Sequence, residues 1–248
     1  MFLTQLSSQT SKLKLRMSRP IVIAPVCYYT FLDESMDYYT AINSNFIALT
    51  HKHQYFVLVS GQKDGKPYSD FLKTILGPNT VYIESDQNKM TRKFNLFREY
   101  LITHRDQYYN HVFCKIDTDL VHYNSDKFQQ TISEIFSNKK NVYVGVESTA
   151  FLDGKYLKYV RGGLNAIHYE SIIKCPRLPE DYKPFEFDII FSNKLMECGI
   201  QLHHLKTFSE NPQLDLGKYA THIVKGIVKK DKQVNGFLQQ LSEKNIAI

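Results

Sequence analysis

The sequence has 248 residues but only four cysteines and no tryptophan. Cys27, Cys114, Cys175 and Cys198 are far apart, and no Cys-x-x-Cys pair occurs. That spacing matches no standard zinc finger and points to buried, reduced thiols in a reducing compartment. No run approaches the roughly 18–20 apolar residues needed to cross a bilayer, so no membrane span is expected. Met1 to about Pro20 is rich in Ser, Thr, Lys and Arg without a hydrophobic core segment, unlike a secretory signal. Residues 1–19 are therefore expected to form a flexible leader before one folded domain, 20–248, with a cytoplasmic address. A Gly-x-x-x-x-Gly-Lys-Ser/Thr run is missing, so no P-loop is expected. Internal repeats, low-complexity tracts and obvious linkers are missing too.

What is present is apolar and aromatic: 43% hydrophobic residues, with 17 Tyr and 16 Phe, enough to argue against disorder over most of the length. The formal charge of +6 suits an anionic ligand, but basic chains of this size also carry such charge for solubility alone. No nucleic-acid partner is expected.

Apolar periodicity alternates between strand and helix. Strands are predicted at Ile21–Tyr28, Gln54–Ser60, Thr80–Glu84, His111–Ile116 and Asn141–Val146. Between them, Tyr39, Ile42, Phe46 and Leu49 give one helix face, and Met90, Phe94, Phe97 and Leu101 another. Ser69 is placed to cap a short helix through Leu76, stopped by Gly77 and Pro78. Ser125 is the expected N-cap of a helix carrying Phe128, Ile132 and Phe136. Pro184 and Glu186 stand where a helix bearing Phe187, Ile190, Phe191 and Leu195 would begin. Strands joined by helical crossovers predict an α/β fold: a Rossmann-like, mostly parallel mixed sheet flanked by helices. In such sheets ligands bind beyond the carboxyl ends of the strands, which directs attention to Asp117 and Asp119, just after the fourth strand.

Residues i and i+2 of an extended chain point the same way, about 6.6–7 Å apart. Asp117 and Asp119 would then present two carboxylates to one side. Such a pair suits a hard cation, Mn²⁺ or Mg²⁺, which keeps waters and shares substrate phosphates. The competing reading is local, because acidic residues after a strand also cap turns.

The residues around the pair carry a resemblance. Thr80–Val121, with a Lys- and Arg-bearing helix and then Lys115-Ile116-Asp117-Thr118-Asp119, resembles the core of the β-1,3-glycosyltransferase and fringe-type galactosyltransferase families. The middle Asp of their Lys-x-Asp-Asp-Asp ending is Thr118 here. Tyr159–Ile167, containing Arg161-Gly162-Gly163, resembles their glycine-containing segment beside the sugar pocket. Phe185–Ile190 resembles their acidic segment at a helix start, and Thr221-His222-Ile223-Val224 their late histidine segment. The resemblance spans about Thr80 to Lys225. It implies an A-type glycosyltransferase fold and inverting transfer from a UDP-sugar donor to a carbohydrate or glycoprotein acceptor. It also implies a metal held by Asp117, Asp119 and His222, and Asp188 as general base, with Glu186 its rival. Asp117, Arg161, Gly162 and Gly163 would then meet the donor. The membrane anchor and lumenal disulfides usual in those families have no counterpart in the sequence.

Several residues have two readings. Arg161 pairs with a phosphate or is solvated. Lys89, Arg92 and Lys93 form the wet side of their helix, or one of them reaches a diphosphate. Tyr28 and Tyr29 stack on a nucleotide base or pack in the core. His51, His53, His203 and His204 fit no zinc spacing and are read as structural or surface residues. A metal-dependent nucleotidyl- or phosphoryl-transferase is the alternative enzyme, and it would add a third carboxylate on an adjacent strand and a phosphate-cradling loop. A non-catalytic nucleotide-sugar-binding module is the alternative outside enzymes.

Overall fold

The computed structural model describes residues 24–36, 40–41, 43–182, 186–209, 220–222 and 243. The expected leader 1–19, Tyr39, Ile42 and Pro184 lie outside these residues. In chain order the elements begin with β1 (Val26–Asp33), α1 (Ser44–Lys52), β2 (Tyr55–Ser60), β3 (Gln62–Lys63), β4 (Lys66–Pro67), α2 (Tyr68–Leu72) and β5 (Thr80–Glu84). They continue through α3 (Met90–Thr103), α4 (Arg105–Tyr108), β6 (Val112–Ile116), β7 (Leu120–His122), α5 (Ser125–Asn138) and β8 (Val142–Gly145). A hairpin of β9 (Glu147–Leu152) and β10 (Lys155–Val160) follows, then β11 (Leu164–His168), α6 (Tyr169–Lys174), α7 (Phe187–Glu197) and β12 (Gln201–His204). The last described strands are β13 (Phe208–Ser209) and β14 (Ala220–His222).

Seven strands form the central sheet in the order β12-β8-β11-β6-β1-β2-β5. β11 alone runs against the rest, antiparallel to β6 and β8. The predicted α/β class with a mostly parallel sheet is therefore what the chain adopts. Every residue of β2 and β6 is buried, because helices cover both faces of the sheet. Alternate side chains divide between two cores. Tyr28, Leu32, Tyr55, Val57 and Ile116 meet Phe46, Phe128 and Ile132 on one face. Tyr29, Phe31, Phe56 and Phe113 meet Phe94, Phe97 and Phe191 on the other.

Strand order also marks a location. From β1 the chain winds outward through β2 to β5, then returns to place β6 on the opposite side of β1. The crevice between the carboxyl ends of β1 and β6 is thus a topological switch point, where ligands of such sheets bind.

Local expectations needed correction where side-chain type competed with context. Ile21–Ile23 of the expected first strand lie outside the described residues; within them the strand is Val26–Asp33, because Thr30–Asp33 continues pairing with β2. Tyr28 and Tyr29 are fully buried, Tyr28 stacked on Tyr55 and Tyr29 on Phe97, so neither is available to a nucleotide base. Asn124 is the N-cap of α5, with Ser125 already helical. The short second helix starts at Tyr68 after Pro67 and stops at Leu72, before Leu76; Ser69 donates its hydroxyl hydrogen bond to Glu84.

One core residue makes stability depend on acid. His122 in β7 is 2% exposed, and neither ring nitrogen has a hydrogen-bond partner. Burial, reinforced by the nearby His53, pushes its pKa down to about 3 from 6.5; Asp126 pulls it up and Lys52 pushes it down. An unfolded chain takes up this proton first as pH falls through 6.5. Stability is therefore whole above that value and is lost progressively towards the folded value, on the order of 1.4 kcal/mol per pH unit. Urea midpoints measured from pH 7 to pH 4 are expected to fall, and His122→Leu to flatten that slope.

Candidate active site

The chain does not stay extended after β6. Leu120 N–H donates to the Asp117 carbonyl at 3.1 Å, closing Asp117-Thr118-Asp119 into a tight turn before β7. The expected parallel projection of two carboxylates from a strand is corrected accordingly. The turn arises because β11 holds Asp117 in place: its N–H donates to the Gly163 carbonyl at 2.9 Å. Gly163 N–H donates back to Asp117 Oδ2 at 2.8 Å, and Lys115 Nζ donates to Oδ1 at 2.6 Å. Asp119 is 6% exposed within the turn, and Thr118 is 1% exposed beside it.

The two glycines are required for different reasons. A Cβ on Gly162 would stand 2.7 Å from Asp188 Oδ2 and 3.4 Å from Asp117 Oδ2, so only hydrogen fits between the carboxylates. Gly163 has φ +89°, in the left-handed region, and a Cβ there would meet the Phe208 ring at 3.0 Å. Gly163→Ala is expected to destabilise the fold by about 1–2 kcal/mol through backbone strain and to displace Phe208 as well. Gly65→Ala, at φ +75° with open space where the Cβ would stand, reports strain without the clash. Thermal melts of both variants, with ligand binding alongside, separate the two effects.

Asp188 sits in the first turn of α7, and its Oδ1 is buried without a hydrogen-bond partner. Burial raises its pKa above the ordinary carboxylate value. Lys115 works against that shift, Asp117 adds to it, and the Gly162 N–H and Arg161 also pull downward. Lys115 itself is buried, which alone would depress its ammonium. Asp117, Asp188 and Asp119 outweigh that penalty and hold it above its usual value. Lys115 thus pairs directly with Asp117, and Lys115 and Arg161 both act on Asp188.

Asp117, Arg161, Gly162, Gly163 and Asp188 line one cavity of about 230 Å³ together with Tyr159 and Phe208. Five predicted site residues, drawn from three separate stretches of sequence, therefore share one wall. Tyr159 and Phe208 were not expected there. Tyr159 was legible only as part of the glycine segment, and Phe208 had no sequence signal. A larger cavity of about 510 Å³ lies between the start of β1 and α5, away from these groups.

The other predicted residues distribute differently. His222 lies opposite Leu120 in the β14–β7 ladder, one residue from Asp119, and its side chain lies outside the description. Glu186 is the N-cap of α7 and makes no side-chain capping bond. Lys93 is not on a wet face: it is 2% exposed, donating to the Leu32 carbonyl at 2.6 Å and to Asn88 Oδ1 at 2.9 Å. Its burial pushes its pKa down to about 8, against the pull of Asp33 and Glu34. Arg92 pairs with Asp86 and Glu180.

No group of three or more His, Cys, Asp or Glu side chains converges on a metal position among the described residues. The donor set still fits a hard cation of the Mn²⁺ or Mg²⁺ kind. Such ions bind through one or two carboxylates and take their remaining oxygens from water and substrate phosphates.

No protein-family model matches the sequence, and no curated protein matches it. Among solved structures, the chain is similar to a Desulfovibrio desulfuricans protein provisionally described as a nucleotide-diphospho-sugar transferase. That pair shares 9% identity over 88% of this chain and 95% of the other, with a TM-score of 0.46. It is also similar to a 4-diphosphocytidyl-2C-methyl-D-erythritol synthase, at 11% identity over 73% of this chain and 88% of the other, with a TM-score of 0.48.

Proposed function

We propose that the chain is an inverting, metal-dependent glycosyltransferase that moves a sugar from a UDP-sugar to a hydroxyl of a carbohydrate or glycoprotein acceptor. The observation that carries the reading is the convergence of Asp117, Arg161, Gly162, Gly163 and Asp188 in one cavity beside the switch point of the sheet. A base, a guanidinium and bare backbone meet there.

Asp188 takes the proton from the acceptor hydroxyl at a carboxylate oxygen. Its raised pKa makes it a better base than an exposed Asp. The hydroxyl oxygen forms the new bond to the anomeric carbon as the bond to UDP breaks on the opposite face, which inverts that centre. Arg161 offers planar donors to the diphosphate. Gly162 lets the ligand approach the backbone between two carboxylates. Asp117 and Asp119, with His222, would hold Mn²⁺ or Mg²⁺, which when bound supplies positive charge to the departing diphosphate. Four free thiols suit a cytoplasmic address, and thiol titration in denaturant, without reductant, should count all four.

Asp188, a third carboxylate near Asp117 although on helix α7 and not on an adjacent strand, keeps a second reading compatible, metal-dependent nucleotidyl or phosphoryl transfer. Product analysis distinguishes the two. Incubation with a panel of nucleotide-sugars, acceptors and Mn²⁺ is expected to release UDP. Pyrophosphate released in a parallel incubation with nucleoside triphosphates and sugar phosphates would favour the second reading, and tight UDP-sugar binding without turnover would mark a binding module.

A further inference from the structure

Among the described residues β7 ends its sheet: in the order β13-β14-β7, β14 covers one side and no described strand covers the other. Two asparagines from the start of α1 take the place of the missing neighbour. Asn45 Oδ1 accepts from the His122 N–H at 2.8 Å, and its Nδ2 faces the His122 carbonyl at 3.5 Å. Asn43 reaches one step further, into the acidic turn itself. Its Nδ2 donates to the Thr118 carbonyl at 2.6 Å and to the Leu120 carbonyl at 2.9 Å. Its Oδ1 accepts from the Phe46 N–H at 3.0 Å and so caps α1.

We propose that Asn43 is the positioning residue of the acidic turn, fixing Asp117-Thr118-Asp119 in the shape that a cation and a diphosphate require. The inference rests on the function proposed above. Asn43 is 1% exposed, so both of its donors must be satisfied internally, and the turn supplies both acceptors. The residue type follows from this double duty. Capping needs a short side chain with an acceptor, while bridging two carbonyls needs two donors on the same group. Ser and Asp keep the first property and lose the second. Asp would also set a carboxylate oxygen against two carbonyls. Because Thr118 is the middle residue of the turn and Leu120 the first of β7, the amide holds the loop on both sides of Asp119. It touches neither carboxylate, so it acts through the backbone.

The test compares wild type with Asn43→Ser and Asn43→Asp, both of which keep the helix cap. Two readouts are taken. Amide hydrogen exchange without ligand is followed for segments 117–122 and 46–50. The dissociation constant of UDP is measured with and without Mn²⁺. Exchange in 117–122 is expected to rise about tenfold while 46–50 stays at the wild-type rate, as expected for loss of a buried hydrogen bond. The Mn²⁺-dependent gain in UDP affinity is expected to shrink by a similar factor. Unchanged exchange in 117–122, or an equal rise in both segments, would reduce Asn43 to a cap and overturn the proposal. Altered turn exchange with an unaltered Mn²⁺ gain would also overturn it. Should wild type itself bind no UDP with Mn²⁺, the proposed function fails, and with it the ligand role of the turn. The exchange comparison then still decides whether Asn43 fixes the turn. If one variant does not fold, the other carries the comparison.

Discussion

Asp188→Asn is expected to lower kcat by about two to four orders of magnitude, the usual contribution of a positioned general base, while UDP-sugar binding stays near wild type. The substitution keeps shape and volume at the start of α7 and removes only the proton acceptor. Its effect should therefore fall on kcat and not on KM for the donor. A pH dependence accompanies it. Burial, aided by Asp117, raises the Asp188 pKa despite Lys115. Activity needs the ionised form, so the rate should fall as pH drops through that raised value, above the range of an exposed Asp. Asn at this position removes that acid limb. Steady-state kinetics from pH 4 to pH 9 test both parts. A variant with wild-type kcat would remove Asp188 from the chemistry and leave Glu186 as the carboxylate to test.

Asp119→Asn is expected to weaken Mn²⁺-dependent UDP binding by roughly 100-fold, the upper end of what altering even outer partners of a metal site costs. The melting temperature should change little, because the amide is nearly isosteric with the carboxylate it replaces. The effect follows from charge. Asp117, Asp119 and Asp188 outnumber the cations Lys115 and Arg161 that act on them, leaving net negative charge that draws a divalent cation. Removing one carboxylate removes a ligand and part of the negative charge that draws the cation. UDP binding without metal should hardly change, so the ratio of affinities with and without Mn²⁺ isolates the effect. Equal loss in both conditions would indicate a collapsed turn.

Much of this site was readable in the sequence, for physical reasons that also explain what was not. Strands β2 and β6 are near-continuous apolar runs, and a parallel sheet covered on both faces demands that pattern. That Asp117, Gly162, Gly163 and Asp188 share one cavity follows the family resemblance, which named the acidic pair, the glycine segment and the helix-start acid in that order. The shape of the acidic pair was not legible. Whether Asp117-Thr118-Asp119 extends or turns is decided by Gly163 and Asn43, which lie 46 and 75 residues away along the chain. The reversed strand β11 was not among the predicted strands for a similar reason: Leu164–His168 is held extended by pairing with β6 and β8, which are distant in sequence. Lys93 was misread because helical spacing puts a lysine on a face without saying what that face meets. Here it meets the end of β1, where the Leu32 carbonyl accepts its hydrogen bond. The hydroxyl caps at Ser69 and Ser125 failed on local competition, with Glu84 claiming one hydroxyl and Asn124 standing one residue earlier than the other.

The most direct measurement is a calorimetric titration of the wild-type chain with UDP, in the presence and absence of Mn²⁺, repeated with Asp119→Asn. The account predicts one UDP bound per chain, with affinity strengthened by Mn²⁺ in the wild type and much less in the variant. UDP binding that ignores Mn²⁺ and survives Asp119→Asn unchanged would contradict it, as would no binding at all.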